Sequence, residues 1–122
     1  MEQTNNLMEI VQTINQQLLI SAPIHIQMSW GVSKRIACVY MDMPTLKLKV
    51  QGFEHKGWVL ISLNEGLDLY EIRLMTLKGE VVKTVDQVFF DEIGDLVDRL
   101  VERGEETEEK YFEKINEEYG LK

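Results

Sequence analysis

Hydrophobic residues change their spacing twice along this chain. Leu7, Met8, Val11, Ile14, Leu18 and Leu19 recur every three or four positions. That spacing gathers them on one stripe of a helix over 6–20, which Thr4, Asn5 or Asn6 can cap and Pro23 ends. From Ile24 the period becomes two: Ile24, Ile26, Met28 and Trp30 alternate with His25, Gln27 and Ser29. After a turn at 31–34, the run 35–41 is rich in strand formers, so the two segments predict a hairpin. Leu46, Leu48 and Val50 then alternate with Lys47, Lys49 and Gln51, a strand with one dry and one wet face that suits a place near a sheet edge.

The next two strands are apolar on both alternating sets. Trp58 and Leu60 are matched by Val59, Ile61 and Leu63, and Tyr70, Ile72 and Leu74 by Leu67, Leu69, Met75 and Leu77, so both faces of the sheet should be covered there. Asn64-Glu65-Gly66 and Lys78-Gly79 supply the turns, the second leading into a strand over 80–85. Phe89, Ile93, Leu96, Val97, Leu100 and Val101 then fall in a narrow arc at ~100° per residue, the mark of an amphipathic helix. Thr107 can cap a weaker last helix carrying Phe112, Ile115 and Tyr119. The pattern predicts an α+β fold in one domain, 1–122. Its parts are an N-terminal helix (6–20), an antiparallel β-meander of about five or six strands (24–85), and one or two C-terminal amphipathic helices (87–103 and 108–119). The helices pack on one sheet face.

Charge adds an asymmetry that the hydrophobic pattern does not carry. The 122 residues have a formal net charge of -8. Residues 1–85 hold eight acids and eight bases, whereas 86–122 hold thirteen acids against five bases. Such a field repels phosphate backbones and anionic headgroups, which argues against direct nucleic-acid or membrane-surface binding and favours a basic partner. With no apolar run near the ~18 residues of a bilayer crossing and no basic, apolar start, the chain is expected in the cytoplasm. The lone Cys38 agrees with a reducing compartment.

Candidate chemistry is sparse. Gly52-Phe53-Glu54-His55-Lys56-Gly57 has the glycine spacing of a phosphate loop, but Trp58-Val59 stand where the lysine and hydroxyl belong. His25 and His55 are far apart and have no cysteine cluster to join, so no metal is expected. Cys38 sits among Ile36, Ala37 and Val39, where a thiol is inert, and no serine lies in a Gly-x-Ser-x-Gly elbow. No catalytic residue and no cofactor is expected, and the chain reads as non-enzymatic.

Trp30-Gly31, the stretch 46–52, Lys56-Gly57-Trp58, the stretch 64–72 and Val88-Phe89-Phe90-Asp91 together resemble small proteins encoded by phages and conjugative elements of gut anaerobes. The resemblance spans most of 5–104 and carries no activity or site residues. It implies a setting in which inhibitor or accessory roles are common.

Two binding readings remain. If helices cover one sheet face, the second apolar set (Val59, Ile61, Leu63, Leu69, Met75 and Leu77) must meet either the last helix or another copy of the chain, which makes self-association, such as a homodimer, the leading expectation. In the alternative, Asp91, Asp95, Asp98 and Glu102, extended by Glu105 and Glu106, form a row of carboxylates one helical turn apart. Such a row mimics a nucleic-acid backbone and would occupy a basic groove on another protein.

Overall fold

A computed structural model describes residues 2–103. The order is α1 (Glu2–Ser21), α2 (Ile24–Ser29), β1 (Lys34–Tyr40), β2 (Met43–Gln51), β3 (Lys56–Asn64), β4 (Leu69–Met75), β5 (Val81–Val88) and α3 (Ile93–Asp98). A π-helical turn, Arg99–Arg103, continues α3. The five strands form one antiparallel sheet in the order β1-β2-β3-β4-β5, so the fold is α+β with a β-meander. The predicted helix over 108–119 lies outside the described residues.

The first helix buries Val11, Ile14 and Leu18 against the sheet, while Met8 and Leu19, counted in the same stripe, are 47% and 37% exposed. Pro23 ends α1 as expected, but the next element is a second helix rather than a strand. The period-two reading of 24–30 fails because its inward residues are Gln27 and Trp30, at 1% and 0% exposure, with Ile26 half-buried; Ile24 and Met28 point to water. Gln27 can be buried because its amide is satisfied. Its Nε2 donates to the Ala22 carbonyl (2.8 Å) and its Oε1 accepts from Arg35. The expected hairpin between 24–30 and 35–41 therefore does not form, and β1 pairs with β2 instead.

From β2 onward the meander takes the predicted order. Leu46, Leu48 and Val50 face the helices, and β2 lies one strand in from the edge. Both faces of β3 and β4 are dry at their centres. On the helix face Leu48, Val59, Ile61 and Ile72 are fully buried with Trp30, Ile93, Val97 and Val101. The opposite face is built differently. Thr45 and Ser62 share a hydroxyl hydrogen bond (2.7 Å), Arg73 pairs with Glu71 (2.6 Å) and lies over the Tyr40 ring, and Lys47 lies over Trp58.

The sheet also runs further than the 80–85 strand predicted. Gln87, at φ 56°, marks a bulge that returns Val88 to the core opposite Tyr70. The helix predicted from 87 consequently starts at Ile93. Phe89 and Phe90, 57% and 60% exposed, lie in a turn in which Glu92 Oε1 accepts the Phe89 N–H.

Two glycines set how closely α3 approaches its neighbours. A Cβ on Gly94 would stand 2.5 Å from the Ser21 carbonyl carbon, and one on Gly52 would stand 2.3 Å from the Val101 carbonyl oxygen. The Gly94 N–H donates to Ser21 Oγ (2.9 Å). The widened turn leaves the Val101 carbonyl free to accept from the Glu54 N–H (2.9 Å) in the β2–β3 loop. Gly94→Ala forces backbone against backbone and should destabilise the fold by about 1–3 kcal/mol, read as a lowered urea midpoint. Tyr70 donates its hydroxyl to Gln17 Oε1, and burial first, then the nearby Asp68, pushes its phenol up to about 12. Because the folded value lies above the unfolded one, the stabilisation is whole below the ordinary tyrosine range and is lost as pH climbs toward 12. Phenolate absorbance should show a component titrating near 12 that Tyr70→Phe removes.

Candidate functional site

The acidic row predicted on the last helix is not a continuous surface. Asp91 is exposed, and the Asp95 side chain, 62% exposed, pairs with Arg99 (3.3 Å) and Arg103 (2.7 Å). Asp98 turns inward. Its Oδ1 accepts the Trp30 indole N–H (2.8 Å), and Arg103 Nε lies 2.7 Å from its Oδ2 in ion-pair rather than hydrogen-bond geometry. Glu102 is 5% exposed, and its Oε2 accepts the Phe53 N–H (3.2 Å). A regular 100° step would keep Glu102 on the wet side of the helix, whereas the π turn widens the spiral after Asp98 and swings this carboxylate under the β2–β3 loop. Glu105 and Glu106 lie outside the described residues. Within 2–103 the row is thus reduced to Asp91 and Asp95; Asp98 and Glu102 hold the helix to the core.

The predicted self-association face also separates. Val59 and Ile61 are fully buried under the helices, and Leu63 packs at the margin of the same core. Leu69 and Met75 lie on the opposite face, and Leu77, 61% exposed, falls in the β4–β5 turn because β4 ends at Met75. The reason is register. Ile61 pairs with Ile72 and Val59 with Leu74, so odd-numbered residues of β3 share a face with even-numbered residues of β4. Grouping odd with odd mixes the two faces.

The groups weighed for catalysis stay apart. His25 is exposed on α2, while His55 sits in the β2–β3 loop with Nε2 3.1 Å from the Trp58 carbonyl oxygen. Cys38 is half-buried on β1; burial pushes its thiol up, with Lys47 pulling the other way, so the thiolate is scarce at neutral pH. Among the described residues, no three His, Cys, Asp or Glu side chains come together to hold a metal.

The structure adds a feature that periodicity does not show, the free edge of β1. Residues Met41 and Asp42, at φ 51° and 63°, form the two-residue loop joining β1 to β2, the geometry of a type I′ turn. Its closing pair, Tyr40 and Met43, is then hydrogen-bonded, as is every second pair below it. Lys34, Ile36, Cys38 and Tyr40 therefore spend their backbone groups on β2, and Arg35, Ala37 and Val39 point theirs outward. Among the described residues, no strand lies beyond them.

This edge borders a seam under α1. A groove of about 290 Å³ is lined by Met8, Val11, Asn15, Arg35, Ala37 and Leu46. Nearer the turn, a cleft of about 350 Å³ is lined by Leu7, Ile10, Val39, Asp42 and Pro44, among others. Arg35 braces the seam, donating to Asn15 Oδ1 (3.0 Å) and to Gln27 Oε1. Ile36, Val39 and Met41 are 38%, 60% and 67% exposed. The opposite edge differs in its backbone: β5 has two register breaks, a device that discourages pairing, although like β1 it carries two charges and exposed aliphatic residues. The sequence did carry a signal for β1, since Met41-Asp42 separates two strand-forming runs by two residues, a spacing that specifies a hairpin once the turn is recognised.

No protein-family model, curated protein or solved structure matches the chain. The assignment of carboxylates to the core is testable. Asp98→Ala should cost about 1–3 kcal/mol, since it leaves a buried indole N–H without an acceptor, while Asp91→Ala on the exposed turn should stay within about 0.5 kcal/mol. Chemical denaturation of the two variants side by side measures the difference.

Proposed function

We propose that the chain is a non-enzymatic interaction protein of the cytoplasm that associates with a second copy of itself by strand addition at β1. The observation that carries this reading is the contrast between the two sheet edges. β1 pairs in unbroken register from Lys34 to Tyr40 and has no proline or bulge, whereas β5 is broken twice; both edges carry two charged side chains and exposed aliphatic residues. An edge that offers three residues of outward backbone groups beside an apolar seam is suited to accept a strand, with hydrogen bonds giving affinity and the seam giving specificity. The candidate catalytic groups do not converge, and the Cys38 thiol is held protonated. No helix among the described residues is long and apolar enough to cross a membrane. The acidic-mimic reading gains no support, since Asp98 and Glu102 are spent internally.

Sedimentation velocity over a wide concentration range tests the proposal. The wild-type chain should shift from monomer to a larger species. Val39→Lys, a substitution at an exposed position that places an edge-blocking charge, should weaken the association by at least about tenfold, or ~1.4 kcal/mol. A wild-type chain that stays monomeric throughout, or a variant that associates as well as wild type, overturns it.

A further inference from the structure

Resting on that reading, we infer that the associated species is a closed two-fold dimer in which β1 pairs antiparallel with β1 of the second copy, centred on Ala37. Backbone geometry selects this register. In an antiparallel pair, hydrogen-bonded partners exchange both N–H···O bonds, so both must point outward. The outward residues Arg35, Ala37 and Val39 are arranged symmetrically about the middle one. Setting Ala37 against Ala37 puts Arg35 against Val39 of the second copy, and the reverse, using every outward group along Lys34–Tyr40. Moving the axis to Ile36 or Cys38 leaves an outward residue of this strand unmatched.

Charge supports the same arrangement. Lys34 and Arg35 stand at the start of β1, and exposed Asp42 comes just after its end. Antiparallel pairing carries the two cationic ends apart and brings each toward the other copy's Tyr40 and Asp42, while parallel pairing would stack cation on cation. The side chains fit as well. Exposed Ile36 meets Cys38 of the second copy on the polar face of the sheet. On the helix face, the small Ala37 meets its own copy beneath the two seams, each overhung by Met8, which is 47% exposed.

The assembly stops at two chains. Pairing consumes both β1 edges and leaves a ten-stranded sheet bounded on each side by β5, whose two register breaks resist a further strand.

Disulfide trapping reads the register. Residues 36 and 38 of opposite copies would form a non-hydrogen-bonded pair, with Cα atoms ~4.5 Å apart, close enough for a disulfide. Two Cys38 residues would lie diagonally at ~7–8 Å, too far to bridge. Mild oxidation should convert Ile36→Cys, which keeps the native Cys38, into a covalent dimer and leave wild type uncrosslinked. Ala37→Cys in a Cys38→Ser background is a second trap at the axis itself. A sedimenting dimer in which wild-type Cys38 bridges, or in which neither engineered cysteine bridges, overturns the register while leaving β1 association standing. Species larger than dimers overturn closure. A wild-type chain that is monomeric at every concentration overturns both this inference and the reading it rests on.

Discussion

Contact of backbone with backbone at the two ends of α3 governs where the whole helical layer lies. Gly94 admits Ser21 and Ala22 at one end, and Gly52 admits the Val101 carbonyl at the other, so α3 and its π-helical continuation are held between the end of α1 and the β2–β3 loop. This leaves α1 to cover β2 and only part of β1. Among the described residues no other helix covers the seam along β1, and Arg35 with Asn15 and Gln27 braces it.

The two sheet faces solve burial by different means. Under the helices, branched aliphatic residues interlock around Trp30, and apolar area does the stabilising at roughly 25 cal/mol per Å². On the other face, polar side chains pair instead: hydroxyl with hydroxyl across the strands at Thr45 and Ser62, guanidinium with the Glu71 carboxylate along β4 and with the Tyr40 ring at Arg73, and ammonium with indole across the strands at Lys47 and Trp58. A polar side chain there is fixed by its neighbours. Single substitutions would leave a partner exposed to the cost of an unmade bond.

Much of this architecture can be read from the chain. The stripe of Val11, Ile14 and Leu18, the alternation from Leu46 to Val50 and the doubly apolar β3 and β4 each appear where the spacing places them. The failures share a cause: each turned on a partner that lies outside the residue's own helix or strand. Gln27 looks like the wet position of a strand until Arg35 and the Ala22 carbonyl are beside it. Glu102 looks solvated until a widened turn brings it to Phe53. Val59, Ile61 and Met75 look like one surface until the register assigns them to opposite sides. Periodicity reports which residues avoid water, but it carries no information on which element they turn toward.

The seat of α3 also separates the chain's folding into two kinds of event. Every strand pairing in the meander joins neighbours in sequence, and each closes a short loop at small entropic cost. The contacts of Ser21 with Gly94 and of Gly52 with Val101 join residues far apart in sequence and close much longer loops. Topology thus makes the docking of α3 the contact with the largest loop-closure cost, and two positions with no side chain decide whether that docking can be completed.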